Sequence, residues 1–344
     1  MEFCGTLVLI FNSLICSLCE AALSVIDSLS AGYRLLARRL ELILIPVLLD
    51  LLLWLMPRMS VAPLFDRVAQ FYAEAANMSE LPDEMAAAMQ DAATVFSTVG
   101  ANLNLFNLLL WGGGSLLHLP SLLYQVEPPR MAEPQELDLL SSACGLGALL
   151  IVAGIAIGVL YMTLLARRLP IGAAAKSWSW GEWPGLILRH SLQILAFLLL
   201  LVLAVLALFV PMSIGGTLVG LVAPGLVTLL AFVFGGMLLV LLFYLYFVPA
   251  GLILDDLRLS RAVVQSFRLV RANFWATVGL FLLSELISVG FGIILGRLVA
   301  YQPLGTLTAI VVHAFIGSGL ALAFLIFYRT RVLLAQGEQV ELEL

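Results

Sequence analysis

Three ionisable side chains fall inside long apolar runs of this chain: Asp50, Glu285 and His313. Each can hold or pass a proton, and ionisable groups in such runs are costly, which makes them the first candidates for function. Arg297 follows Glu285 by about three helical turns, towards the end of the same run. One reading makes Asp50, Glu285 and His313 a buried proton or cation relay. The other makes both acids neutral or hydrogen-bonded packing groups, with Ser284 and Ser288 beside Glu285, because desolvation favours an uncharged carboxyl.

Two further groups can do chemistry. Asp255-Asp256 can hold a metal together with a lipid phosphate, or can cap the start of a helix. Cys16-x-x-Cys19, with Cys4 and Cys144, has the residue types of a redox or zinc site but lacks neighbouring ligands, and small soft packing is the ordinary account of such a pair in an apolar stretch. No Gly-x-x-x-x-Gly-Lys-Ser/Thr loop, His-Glu-x-x-His helix or Gly-x-Ser-x-Gly elbow occurs. No metal, no cofactor and no catalytic residue is expected. The 17 basic residues form no block, which argues against nucleic acid as a partner.

The elements that position these groups follow from composition. Of 344 residues, 62% are hydrophobic and 11% charged, too little charge to cover a water-soluble surface. Runs of roughly 20 apolar residues span a bilayer, and in hydrocarbon such runs must be helical. Six candidates are read: Leu42–Met56 (extended back through Tyr33–Glu41), Leu140–Leu165, Leu192–Val210, Leu226–Val248, Ala276–Leu298 and Leu307–Phe327. Thirteen basic residues then lie on one side (Arg34, Arg38, Arg39; Arg167, Arg168, Lys176, Arg189; Arg258, Arg261, Arg268, Arg271; Arg329, Arg331). Only Arg58, Arg67, Arg130 and Arg297 lie on the other. The positive-inside rule therefore predicts an even number of spans in a prokaryotic inner membrane, with a cytoplasmic C-terminus.

The expected architecture is an all-α integral membrane bundle of about six transmembrane helices. Residues 1–32 are an apolar peripheral helix or a seventh span, 33–56 the first span, 57–138 an acidic extracytoplasmic helical insertion, 139–331 the remaining five spans and 332–344 a tail. Within the insertion, Val68–Ala76 and Pro82–Phe96 read as amphipathic helices, with Ser79 capping the second. Leu103–Leu123, broken by Gly112-Gly113-Gly114 and Pro120, reads as a hairpin on the outer leaflet.

An Arg-bearing segment leads into a span at Tyr33, Leu186 and Ser266, and aromatics mark the exits at Tyr161, Tyr244 and Phe327. The pattern suggests three hairpin repeats, each behind a cytoplasmic surface helix whose arginines (Arg34, Arg38, Arg189, Arg261, Arg268, Arg271) meet lipid headgroups. In the third, Val263, Phe267, Val270 and Phe274 share one face. The exit aromatics, Trp178, Trp180, Trp183, His118 and His190 are expected at the interfaces. Gly154-x-x-x-Gly158 and Gly292-x-x-x-Gly296 allow close helix approach.

Residues 249–275 (Pro-Ala-Gly-Leu-Ile-Leu-Asp-Asp-Leu-Arg-Leu-Ser-Arg-Ala-Val-Val-Gln-Ser-Phe-Arg-Leu-Val-Arg-Ala-Asn-Phe-Trp) resemble the prokaryotic module named "glycerophosphoryl diester phosphodiesterase membrane domain" and its relatives. Those proteins similarly place an acid, an Ala-x-x-x-Ser step and an Arg-x-Asn-Phe-like turn between two spans. The resemblance implies a multi-span module; the name comes from fusions to a soluble hydrolase, which is not read here, so no hydrolase activity is expected. The leading expectation is a non-enzymatic scaffold, assembly partner or accessory subunit. Its partners would be membrane lipids and other membrane subunits or copies of itself. A transporter or channel for lipid-like or small hydrophobic substrates, and a membrane-embedded lipid enzyme acting through Asp255 and Asp256, are the alternatives.

Overall fold

A computed structural model describes residues 25–77, 82–111, 117–126, 134–169, 180–220 and 223–337. The expectations for residues 1–24, Cys4, Cys16, Cys19, Ser79, Gly112–Gly114, Lys176, Trp178 and residues 338–344 lie outside the described residues. The fold is all-α, with 85% of the described residues helical. In chain order the helices are α1 (25–38), α2 (Leu44–Leu55), α3 (Ala62–Ala76), α4 (Asp83–Asn102), α5 (Asn107–Leu110), α6 (Leu122–Gln125), α7 (Leu140–Arg167), α8 (Trp183–Gly220), α9 (Pro224–Tyr244), α10 (Val248–Ile253), α11 (Leu259–Ala272), α12 (Phe274–Leu298) and α13 (Leu304–Ala335). Met59–Ser60 (β1) pairs in parallel with Gln135–Glu136 (β2).

Among the described residues, five stretches are long and apolar enough to cross a membrane: Leu140–Arg167, Trp183–Thr217, Gly225–Ile253, Phe274–Leu298 and Leu304–Ala335. They coincide with the second to sixth expected spans. The first expected span differs. The chain is helical from 25 to 38, straight across the expected boundary at 32/33, then leaves the helix at Arg39 and makes a tight turn over Leu40–Ile43. At 12 residues, α2 rises about 18 Å, short of a bilayer core. The adjacent Arg38 and Arg39, both exposed, favour an exit to the aqueous boundary rather than a continuous span.

The chain forms two compact units. The first comprises Met1–Arg39, Met162–Ile287 and Gly319–Leu344; the second comprises Leu40–Tyr161 and Ser288–Ser318. In the first unit, the core is built from Phe247, Phe324, Phe327 and Tyr328, all nearly inaccessible, with the fully buried α10 beside them. Phe247 stacks on Phe324 at 5.2 Å and on Phe327 at 5.8 Å. Of the exit aromatics expected at an interface, Tyr244 is only partly buried, whereas Phe327 is a core residue. Tyr161 is likewise buried, in the second unit, where its hydroxyl donates to Ser318 Oγ at 2.8 Å. Helix α9 stops at Tyr244 because Ser266 of α11 donates its hydroxyl to the Tyr244 carbonyl (2.7 Å) and accepts the Phe247 amide (3.1 Å), satisfying groups that the break leaves open. The second expected surface helix does not stand apart: α8 runs unbroken from Trp183 to Gly220.

In the second unit, α3 and α4 form a helical hairpin held by Tyr72 stacked on Phe96 at 5.3 Å. Both helices outrun the amphipathic stretches read from sequence, α3 beginning at Ala62 and α4 ending at Asn102. The following segment does not lie on an outer surface. Leu109, Leu110, Leu117, Leu119, Leu122 and Leu123 are all buried, so the described parts of this stretch, 105–110 and 117–123, are internal to this unit. Around Pro120 the backbone is irregular because proline opposes a helix, and burial within protein is what lets irregular backbone persist in an apolar bundle.

Candidate functional site

Asp50 anchors the irregular segment. It projects from α2 and is completely buried. Ser121 donates its hydroxyl to Asp50 Oδ1, and the Leu122 amide donates to Oδ2 at 2.8 Å. The Leu122 amide opens α6 and would otherwise lack an intrahelical acceptor. One carboxyl thus satisfies two donors that the broken backbone leaves exposed.

Glycines make room for the same segment. A Cβ at Gly154 of α7 would strike the Leu109 carbonyl, and one at Gly317 of α13 would strike the Pro120 ring. A Cβ at Gly292 would meet Gln125 Oε1 at 2.5 Å, and one at Gly296 would meet Val126 at 3.5 Å. Gly158 is buried. Gly154, Gly292 and Gly296, expected to allow close helix approach, thus face this irregular chain. Gln125 adds a hydrogen bond to Ser288 Oγ at 2.8 Å.

The first unit holds a second carboxyl site. Asp255 Oδ1 accepts from Arg329 Nη1 at 2.6 Å; Oδ2 accepts from the Tyr328 hydroxyl at 2.6 Å and from Gln265 Nε2 at 3.1 Å. Gln265 Nε2 also donates to the Tyr328 oxygen at 2.8 Å. The site ties α11 to the end of α13. Asp256 turns elsewhere: it has φ +53°, a left-handed geometry that Asp tolerates better than most residues, and it pairs with Arg189, with His190 Nε2 3.8 Å away. The two acids neither converge on one site nor cap a helix: α11 follows Arg258 with no side-chain cap. Among the described residues no cluster of three or more His, Cys, Asp or Glu could hold a metal.

The other predicted residues separate. No hydrogen bond or ion pair joins Asp50 to His313, which is buried in the same unit with Nδ1 lacking a partner among the described residues. Glu285 belongs to the first unit and is exposed in the middle of α12. His190 is buried rather than interfacial. Arg34, Arg38, Arg189, Arg261, Arg268 and Arg271 are exposed, and Arg189 also pairs with Asp256. On α11 the buried face is Ala262, Ser266, Leu269 and Val270, with Phe267 and Phe274 about half and a third exposed. The Ala-x-x-x-Ser step takes the inner face because Ala262 must fit beside Gly251 and Ser266 must reach the α9 break. Phe267 instead stacks on Tyr244 at 4.5 Å.

Sequence reading missed Ser121, Ser266 and the Gln265–Tyr328–Arg329 set. The available signal was an acid inside an apolar run, which needs donors, next to a run whose Gly and Pro must free some. No family model, curated protein or solved structure matches the chain.

Proposed function

We propose that this chain is a non-enzymatic multi-span membrane protein, an assembly partner or accessory subunit whose α12 is covered by another membrane helix. The observation that carries the reading is Glu285. It is exposed at mid-helix among Leu282, Leu286, Val289 and Ile293, each more than half exposed. A carboxyl on a lipid-facing surface at mid-span is disfavoured by several kcal/mol on insertion scales, on the order of 3 for an acid at the helix centre. A neighbouring helix that donates to it removes that penalty. The distribution of arginines supports six spans in a prokaryotic inner membrane with a cytoplasmic C-terminus, and the recurrence of an Arg-bearing segment before a span supports three hairpin units.

A photo-crosslinking residue at Leu286, with one at Phe232 of α9 (80% exposed) as the lipid-facing control, tests this in native membranes. Capture of a second polypeptide, this chain or another, at 286 but not at 232 is expected. Lipid adducts alone at both positions, or an adduct to residues 1–24 of the same chain, would end the partner reading.

A transport reading draws support from the irregular segment buried around Asp50, since broken helices line many transport sites. Both Asp50 oxygens are already occupied by protein donors, which favours a fastening role. The divergence of Asp255 and Asp256 counts against a lipid enzyme built on the pair.

A further inference from the structure

The first unit carries a cleft of about 730 Å³ between α11 and the end of α13. Its floor is apolar: Leu257, Val264, Leu269, Ala272, Val332 and Ala335. Three guanidinium groups line it, Arg261 and Arg268 from α11 and Arg331 from α13, the last also 5.3 Å over the Phe327 ring, and among the described residues no acidic side chain does. The nearest carboxyl chemistry is consumed, because Asp255 is bound by Arg329, Tyr328 and Gln265. Arg261 and Arg268, by contrast, have no hydrogen-bonded or ion-paired partner among the described residues and are exposed.

The level of the cleft follows from the chain. Asn273, which lines it, immediately precedes the apolar run of α12, and Arg331 to Gln336 follow the apolar run of α13. The cleft therefore opens where two hydrophobic runs end, at the depth of lipid headgroups if those runs span a bilayer. Its volume lies within the usual range for a small-molecule site. Three cations above an apolar floor complement an anion with an apolar body, and Arg pairs well with phosphate oxygens in a bidentate manner.

We propose that this cleft binds the phosphate headgroup of an anionic membrane lipid, with the upper acyl segments on the apolar floor. The site is separate from the Glu285 face and does not depend on a partner helix there.

The test uses the full chain in nanodiscs containing equal parts phosphatidylcholine and phosphatidylglycerol, with retained lipids counted by native mass spectrometry. Preferential retention of phosphatidylglycerol is expected, and the Arg261→Gln/Arg268→Gln pair should lower it about thirtyfold, since each surface arginine contributes about a factor of five. Arg271→Gln, an exposed arginine that does not line the cleft, should cost no more than the roughly fivefold of a single surface arginine. Both substitutions lie on exposed side chains, and an unchanged melting transition separates loss of binding from loss of fold. Equal retention of the two lipids, or an equal effect of Arg271→Gln, overturns the proposal. So does displacement of the lipid by millimolar inorganic phosphate, which would show a free-anion site. Retention of phosphatidylglycerol only when the chain ends at Gly337 would also overturn it, since the acidic residues Glu338, Glu341 and Glu343 would then be the occupant.

Discussion

Asp50 and Asp255 are both carboxyls that accept from a hydroxyl and a nitrogen, yet they hold their units together by different physics. Asp50 is wholly buried and its two donors are neutral, a serine hydroxyl and a backbone amide. Asp255 is 13% exposed and one of its three donors is a guanidinium that is 22% exposed. The buried site organises irregular backbone that no helix could otherwise accommodate. The boundary site ties a surface helix to a spanning one. In a bundle whose spans find lipid as apolar as one another, hydrophobic burial does not select a helix arrangement. Close packing and satisfied polar groups carry that selection, so the more buried site should be less forgiving and less sensitive to solution conditions.

The sharpest way to break that contrast lies in the glycines around the Asp50 segment. Gly154→Leu places a branched side chain where the Leu109 backbone runs, and backbone cannot step aside as a flexible side chain does. The expected outcome is loss of a monodisperse folded species in detergent, since overpacking alone costs about 1–3 kcal/mol and here displaces the internal segment as well. Gly235→Leu, at a position with open space around it, should leave the melting transition within about 0.5 kcal/mol of the parent. Equal tolerance of both would show that the segment has no fixed seat in the second unit.

Next in size is Asp50. Asp50→Ala leaves the Ser121 hydroxyl and the Leu122 amide without acceptors, at about 1–3 kcal/mol for each buried donor. Asp50→Asn should be nearly silent: its carbonyl oxygen accepts the Leu122 amide, and the Ser121 hydroxyl rotates to accept from its NH₂. Asparagine cannot pass a proton, so the Asn variant also divides fastening from relay. Full stability with loss of cellular function in Asp50→Asn would restore the relay, and equal destabilisation by Asn and Ala would show that both oxygens must accept.

Much of this architecture was legible in the residues, and the exceptions share a cause. Periodicity and length located α7, α8, α9, α12 and α13, because a hydrocarbon solvent imposes one rule along a run. The same rule says nothing of where a helix pauses. The break after Tyr244 depends on what a neighbour supplies, here Ser266, and a neighbour is tertiary information. Leu103–Leu123 shows the limit most plainly. Its Gly and Pro content revealed that it could not be a regular span, and the charge bias opposed a crossing, but both facts fit a surface hairpin and an internal segment alike. Only the glycines of α7 and α13 and the acid of α2, all distant in sequence, choose between them. Asp50 and Gly154 stand out in the sequence as unusual residues for their setting, but the residues they meet, Ser121, Leu122 and Leu109, are distant in sequence.

The smallest expected effect completes the comparison. Asp255→Asn keeps an oxygen for one donor but removes the charge that faces Arg329 and turns an acceptor into a donor near Gln265 and the Tyr328 hydroxyl. Both ion-pair partners have some access to solvent, and pairs of that kind are worth about 1 kcal/mol at most once screened. The expected loss is therefore near 1 kcal/mol at low ionic strength, read as a downward shift of the melting transition. It should shrink as salt is raised from 0.02 to 0.5 M, on the order of a Debye length falling from roughly 20 to 4 Å. The loss in Asp50→Ala has no such handle, because neither donor there carries charge and no solvent reaches the site. Parallel salt titrations of the two variants thus read the difference directly. A loss in Asp255→Asn that persists undiminished at high salt would mean that hydrogen bonds from Tyr328 and Gln265, rather than the Arg329 charge, hold α11 to α13, and that the two carboxyls work alike after all.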